Sequence, residues 1–142
     1  MRKRHHARPP VPTDLPSIYA PIRLGIDEYA CPIDITLIYR NILLAGEPGA
    51  GKSGGLNTIT AHAAFAPDCR LWLMDGKRVE LGLWRTCAEV FVGSSLDEAI
   101  ERLGELQAEM ERRYDHLDTV RRRKIEPGDL LDLIMLVIDE LA

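Results

Sequence analysis

Residues 41–53 read NILLAGEPGAGKS and decide the fold class. The last eight letters, Gly46–Ser53, match the pattern G-x-x-x-x-G-K-[ST], in which glycines let the backbone wrap tightly around an anion. The apolar run before them, Asn41–Ala45, predicts a short buried parallel strand. The residues after them predict a helix from Lys52 to about Ala64, whose positive N-terminus faces the same anion. Strand, loop and helix in this order predict a phosphate-binding loop.

The side chains of this loop have separate chemical tasks. Lys52 adds a positive charge to the β- and γ-phosphates of a nucleotide, and the Ser53 hydroxyl can ligate Mg²⁺. Pro48 has no N–H to donate, so we expect it where the loop bends. The predicted nucleotide contacts are Gly46, Glu47, Pro48, Gly49, Ala50, Gly51, Lys52, Ser53 and Gly54. A glycine-rich turn that contains Lys-Ser by chance is the alternative, and the flanking strand and helix signals disfavour it.

A second candidate site element lies near the C-terminus. Leu133–Ile138 is the most apolar run of the chain and predicts a central strand, which delivers Asp139 and Glu140 at its carboxyl end. Parallel α/β sheets bind ligands at that end. We therefore expect Asp139 to hold Mg²⁺, directly or through water, and Glu140 to orient or deprotonate an attacking water. Two solvated acids after a core strand are the alternative.

Further strands alternate with helices and predict an α/β fold with a parallel sheet. Strands are predicted at Arg70–Met74 and Glu89–Val92, and a small β element precedes the loop within residues 20–37. A capping box at Ser95 opens a long helix. Its apolar stripe comprises Leu96, Ile100, Leu103, Leu106, Met110 and Leu117.

Composition narrows the class of protein. The 142 residues are 46% hydrophobic and 28% charged, which excludes a disordered or fibrous chain. Three cysteines without a CxxC pair exclude a disulfide framework and fit a cytoplasmic protein, and no apolar run is long enough to span a membrane. Residues 1–19 are predicted to be a basic, proline-rich, disordered lead-in, and residues 20–142 a single domain. The net charge is −4, but residues 121–124 are all basic and either contact phosphates or are simply solvated.

Two charged stretches have open interpretations. Residues 73–81, read LMDGKRVEL, follow a predicted strand, so their charged side chains either face the ligand crevice or belong to an ordinary loop. Residues 109–114, read EMERRY, are more simply a solvated helix face than a functional site. His62 and His116 have no metal-ligand partners at suitable spacing and are predicted to be structural.

Taken in order, five stretches resemble the FtsK/SpoIIIE family of DNA-pumping ATPases. They are Ile22–Asp27, Leu44–Ser53 with Leu56-Asn57 behind it, Asp75–Leu81, Glu109–Tyr114 and Val137–Ala142. The resemblance covers roughly residues 20–142 and looks most like the actinobacterial and plasmid-transfer branch. It departs at Gly76, where the family usually has proline.

The resemblance implies a RecA-like motor domain that binds ATP with Mg²⁺ between subunits of a hexameric ring around double-stranded DNA. Such rings move DNA in chromosome segregation or conjugative transfer, and a neighbouring subunit supplies an arginine finger. Because residue 142 follows Glu140 so closely, the chain resembles the front half of such a domain, and we expect it to be weakly active alone. The alternatives are a shortened, non-catalytic interaction protein and a phosphate-loop ATPase that does not act on DNA. The expected location is the cytoplasm, or a membrane reached through partners.

Overall fold

The computed structural model describes residues 15–127, 129 and 131–140. The described chain forms the strands and helices β1 Ile22–Ile26, β2 Pro32–Ile35, α1 Lys52–Phe65, β3 Cys69–Asp75, β4 Val90–Val92, α2 Leu96–Thr119 and β5 Leu133–Asp139. A short 3-10 turn, Gly82–Trp84, lies between β3 and β4. Most of the predicted lead-in, residues 1–14, lies outside the described residues, as do the last two residues of the chain.

The main sheet is parallel, with strand order β4-β3-β5. Its register sets Leu73 of β3 beside both Phe91 of β4 and Val137 of β5. The mixed α/β class with a parallel sheet is therefore confirmed. The expectation that the apolar strand Leu133–Ile138 is central is wrong for the described residues, because β3 takes that place. A central strand is hydrogen-bonded to a neighbouring strand on each side, and within the described chain β5 pairs with β3 alone.

A separate two-stranded sheet confirms the small β element predicted ahead of the loop. β1 and β2 pair antiparallel, with Arg23 opposite Asp34 and an ion pair joining their side chains. The turn between them is closed by Asp27, whose carboxylate accepts hydrogen bonds from the N–H groups of Tyr29 and Cys31 at 2.9 and 2.8 Å. Such a turn is typical of aspartate.

The hydrophobic core lies between α1 and one face of the sheet. Its buried members are Ile18, Ala63, Ala66, Leu71, Leu73, Leu81 and Val137. Burying a leucine side chain contributes about 1.5–3 kcal/mol, so these contacts hold α1 on β3. Ile18 joins the core because the Asp68 carboxylate accepts hydrogen bonds from the Ser17 hydroxyl and from the Ile18 N–H, at 2.5 and 2.9 Å. Ile18, which precedes the predicted domain boundary at residue 20, is therefore part of the core.

The segment before the loop is not a strand. Residues 41–45 have no regular secondary structure and are all exposed, with Leu43 at 89%. The predicted strand Asn41–Ala45 is therefore wrong for this structure. Strand geometry needs a hydrogen-bonding neighbour, and in the described chain this segment pairs with none of the three strands of the parallel sheet.

Helix α2 begins as the capping box predicts, with the Ser95 hydroxyl accepting a hydrogen bond from the Glu98 N–H. Its apolar stripe is less buried than a core-facing stripe would be. Leu96 and Ile100 are 74% and 61% exposed, and the helix has no fully buried residue. The helix is therefore held by something other than apolar packing.

Charged contacts attach the second half of α2 to the sheet. Glu109 accepts hydrogen bonds from Arg113 and Arg112, and it lies 3.6 Å from the guanidinium of Arg70 on β3. Arg113 also donates to the backbone carbonyl of Asp132, next to β5, at 2.9 Å. In this structure the EMERRY stretch joins the helix to the starts of two strands, so it has a structural role.

Candidate nucleotide-binding site

The loop Gly46–Ser53 has the backbone geometry that its glycines predict. Gly49 and Gly51 have φ angles of +82° and +86°, in the left-handed region that disfavours other residues. A turn that contains Pro48 closes the loop. In it, the Ala50 N–H donates a hydrogen bond to the Glu47 carbonyl at 3.1 Å. A Cβ added at Gly46 would lie 3.2 Å from that of Ala50, so a side chain there would crowd the loop.

Helix α1 begins directly at the end of this loop and presents free donors. Its first residue is Lys52, its N-cap is Gly51, and no side chain accepts a hydrogen bond from its first turn. The first N–H groups of any α-helix lack intrahelical acceptors, and the helix dipole places partial positive charge there. No acidic residue of the first turn neutralises that charge. An anion is therefore the chemical partner that this end of the helix fits.

The two side chains predicted to bind ligand are accessible. Lys52 and Ser53 are both exposed. Ser53 contributes its backbone carbonyl to a hydrogen bond from the Asn57 side chain at 2.9 Å. Within the described residues, neither the Lys52 ammonium nor the Ser53 hydroxyl has a side-chain partner. Both groups are therefore available to a phosphate and its metal ion.

The carboxylates predicted at the end of β5 lie beside a third one from β3. The sheet register sets Asp139 directly opposite Asp75, and Glu140 follows β5 in a left-handed conformation, with φ +54°. Burial raises the pKa of Asp139, and the negative charges of Asp75 and Glu140 raise that pKa further. The edge where β3 and β5 end is thus strongly acidic.

Asp75 is completely buried and organises the loop that follows β3. Its carboxylate accepts hydrogen bonds from the N–H groups of Arg78 and Leu81, at 2.6 and 2.9 Å. Arg78 takes a left-handed conformation, with φ +59°, which sharpens this bend. Leu81 then returns to the hydrophobic core. Residues 76–80 are consequently held at the acidic edge.

Lys77 in that loop contacts the predicted general base. Its ammonium nitrogen lies 2.5 Å from a carboxylate oxygen of Glu140. This contact raises the pKa of Lys77, mainly through the hydrogen bond. One charged side chain of residues 73–81 therefore contacts a predicted site residue.

The two halves of the predicted site are not joined by direct contacts. Within the described residues, no hydrogen bond or ion pair links Lys52 or Ser53 to Asp139 or Glu140. The same part of the chain holds no group of three or more His, Cys, Asp or Glu side chains placed to enclose a metal ion. Mg²⁺ at nucleotide sites uses one or two protein oxygens together with phosphate and water, so Ser53 and Asp139 remain suitable donors.

Trp84 has a structural role beside the loop. Its indole N–H donates to the Asn57 side-chain carbonyl at 2.7 Å, and its ring packs edge-on against Phe65. Asn57 also holds the carbonyl of Ser53. Trp84 therefore braces the first turns of α1 against the 3-10 turn. In the sequence, the available signal was Asn57, a polar residue one helical turn after Ser53.

These features together define a mixed α/β domain with a parallel sheet and a phosphate loop at the start of a helix, as in phosphate-loop NTPases. The sequence model of the FtsK/SpoIIIE family matches residues 1–140. The chain therefore belongs to the FtsK/SpoIIIE family.

Curated relatives agree with this membership. A Haemophilus influenzae protein named DNA translocase FtsK is 33% identical over 112 residues, which is 75% of this chain and 21% of that protein. The Staphylococcus aureus protein of the same name is 30% identical over 142 residues, covering 85% and 18%. The Campylobacter jejuni one is 29% identical over 116 residues, covering 72% and 12%. The chain thus spans roughly an eighth to a fifth of the length of these relatives.

No solved structure matches the chain. Neither helix of the described residues carries an apolar stretch long enough to cross a lipid bilayer.

Proposed function

We propose that this chain is the ATP-binding part of an ATP-driven translocase of double-stranded DNA. The observation that carries the proposal is the loop Gly46–Ser53, whose two left-handed glycines lead into an uncapped helix start with an exposed lysine and serine. Membership of the FtsK/SpoIIIE family supports an ATPase, and the name of the relatives, DNA translocase, supports DNA as the partner.

In this proposal each residue of the site has its own role. The loop N–H groups and Lys52 hold the phosphates, while Ser53 and Asp139 ligate Mg²⁺. Mg²⁺ bound there offsets the negative charge of the β- and γ-phosphates. Glu140 accepts a proton from the attacking water. The acidic edge formed by β3 and β5 favours a divalent cation because Asp75, Asp139 and Glu140 place negative charge there.

The quaternary and biological parts of the proposal rest on the family alone. The chain is part of a RecA-like ATPase domain, which assembles as a hexameric ring around the duplex. The ring moves DNA during chromosome segregation or conjugative transfer.

Calorimetry on one substituted lysine tests the nucleotide site. Lys52→Ala should abolish binding of ATP with Mg²⁺, because it removes the one positively charged side chain of the loop. The fold should survive, because Lys52 is exposed and packs against no core residue. Lys124→Ala is the matched control, since Lys124 is also exposed and lies over the Tyr39 ring. Equal ATP affinity in the wild type and Lys52→Ala would refute the site.

Duplex DNA tests the translocase part separately. Hydrolysis that rises with linear double-stranded DNA would support it. A rate that is measurable, abolished by Lys52→Ala and unaffected by DNA would instead favour a phosphate-loop ATPase that acts on another substrate.

A further inference from the structure

We propose that Lys77 is a positioning residue that holds the Glu140 carboxylate at the sheet edge and keeps it from the attacking water. Only molecules in which this contact is broken then hydrolyse ATP. The inference rests on the proposed role of Glu140 as the general base, and it adds a residue that controls when that base is available.

The backbone brings these two side chains together through the strands themselves. β3 and β5 are adjacent and in register as far as Asp75 and Asp139, so both chains leave the sheet at one edge. Glu140 is the first residue after β5, and Lys77 the second after β3. The contact between them is therefore a consequence of strand register.

The position of Lys77 is fixed from behind by a buried group. The Asp75 carboxylate is fully buried and accepts hydrogen bonds from Arg78, the next residue after Lys77, and from Leu81. A further hydrogen bond joins the Arg78 N–H to the Asp75 carbonyl at 3.1 Å. The backbone of Lys77 therefore starts from a constrained turn, although its side chain is 64% exposed.

Glu140 is held in a conformation that needs a compensating contact. Its φ of +54° lies in the left-handed region, which is unfavourable for a residue with a Cβ. In the described chain, its one ion pair is the 2.5 Å contact with Lys77. Glu140 and the neighbouring Asp139 carry like charge, so Lys77 is the group in the described chain whose opposite charge retains Glu140 at this edge.

The chemical consequence follows from where the ion pair holds the carboxylate. The Lys77 ammonium donates a hydrogen bond to one oxygen of Glu140 at 2.5 Å, and while this pair is closed the carboxylate is held against Lys77 and does not turn toward the attacking water. Hydrolysis then requires the fraction of molecules with an open pair. For exposed ion pairs that fraction changes by about two- to fivefold when the pair is removed.

The first experiment measures the contact itself and needs no turnover. In the nucleotide-free, ¹⁵N-labelled protein, hydrogens of the Lys77 ammonium should exchange with water more slowly than those of Lys124. Glu140→Gln should remove that difference. A Lys77 exchange rate that is identical in the wild type and in Glu140→Gln would overturn the proposal.

The second experiment measures the effect on hydrolysis. Lys77→Met should raise kcat about two- to fivefold while leaving the KM for ATP unchanged, because the loop and Lys52 are untouched. Lys77→Arg, which restores the pair, should have the wild-type kcat, and Lys124→Met should also match the wild type. A kcat in Lys77→Met at or below the wild-type value would overturn the proposal. Loss of the nucleotide site itself is distinguishable, because it is measured by ATP binding in Lys52→Ala.

Discussion

Replacing Asp75 with asparagine should destabilise the fold by about 2 kcal/mol. The carboxylate is fully buried, with one oxygen accepting from the Arg78 N–H at 2.6 Å and the other from the Leu81 N–H at 2.9 Å. Hydrogen bonds to a charged acceptor contribute about 1.5–3 kcal/mol each. Asparagine keeps one acceptor oxygen but places an NH₂ group against the second donor, so one bond is lost and the buried N–H of Leu81 has no acceptor.

A relief of charge repulsion opposes this loss, so the expected destabilisation of about 2 kcal/mol lies toward the lower end of the range of about 1.5–3 kcal/mol for one hydrogen bond. Neutralising Asp75 relieves its repulsion with Asp139, a repulsion that helps to raise the pKa of Asp139. The lost hydrogen bond dominates because the unsatisfied donor is buried, and a buried polar group without a partner costs about 1–3 kcal/mol. A net loss of about 2 kcal/mol corresponds to a fall in Tm of about 6–10 °C for a domain of this size.

Urea denaturation followed by circular dichroism measures this loss, with Asp27→Asn as the matched control. Asp27 also accepts two backbone N–H bonds, but both reach one oxygen in an exposed turn, where asparagine is equally suitable. Asp27→Asn should therefore change the free energy of unfolding by less than about 0.5 kcal/mol. Equal effects of the two substitutions would refute the reasoning that the buried carboxylate organises the loop.

Three further predictions concern the base, the α2 attachment and the surface. Glu140→Gln should retain ATP affinity but reduce turnover at least ~100-fold, as loss of a general base does, and an unchanged rate would assign the base elsewhere. Burial alone would raise the pKa of Glu109, but hydrogen bonds from Arg113 and Arg112 outweigh burial and lower this pKa. Glu109 therefore stabilises the fold above its unfolded pKa of 4.5, and this contribution disappears as the pH falls through the lowered value. Glu109→Gln should thus be less stable than the wild type at about pH 7 and closer to it at about pH 3.5 in urea titrations, and a constant difference would contradict this sign. The exposed Leu96 and Ile100, with the edge of β5 that no strand of the described residues covers, should cause concentration-dependent self-association. Sedimentation velocity measures it, and a monodisperse monomer at all concentrations would contradict the prediction.

The parts of the fold that could be predicted from sequence are those that local signals determine. Helix α1 begins at Lys52 as expected, because the glycine loop ends there. The strand at Arg70–Met74 is extended by one residue at each end, to Cys69–Asp75. The errors, at Asn41–Ala45 and in the place of β5, both concern strand neighbours. Hydrophobicity predicts that a segment will be buried or extended, but pairing depends on which other strands are present.

The candidate site also has one part that the sequence predicts and one part that it does not. The loop and its lysine follow from a contiguous motif, and their geometry agrees with it. The contact of Lys77 with Glu140 joins residues more than sixty positions apart, so spacing along the chain gives no signal for it. Strand register alone brings them together, and register was not predictable from the sequence. The EMERRY stretch shows the reverse case, because a charged motif at the end of a helix turned out to have structural partners in Arg70 and Asp132.

Gly76 shows how the acidic edge is held together in this chain. A proline at this position would fix φ before the lysine, whereas Gly76 leaves the backbone free, and a Cβ there would meet nothing within 4 Å. Glycine costs the folded chain more conformational entropy, so the loop needs another restraint. The buried carboxylate of Asp75 provides it through Arg78 and Leu81, on the far side of Lys77. In this chain the placement of Lys77 beside Glu140 therefore depends on hydrogen bonds to Asp75 more than on backbone stiffness at residue 76.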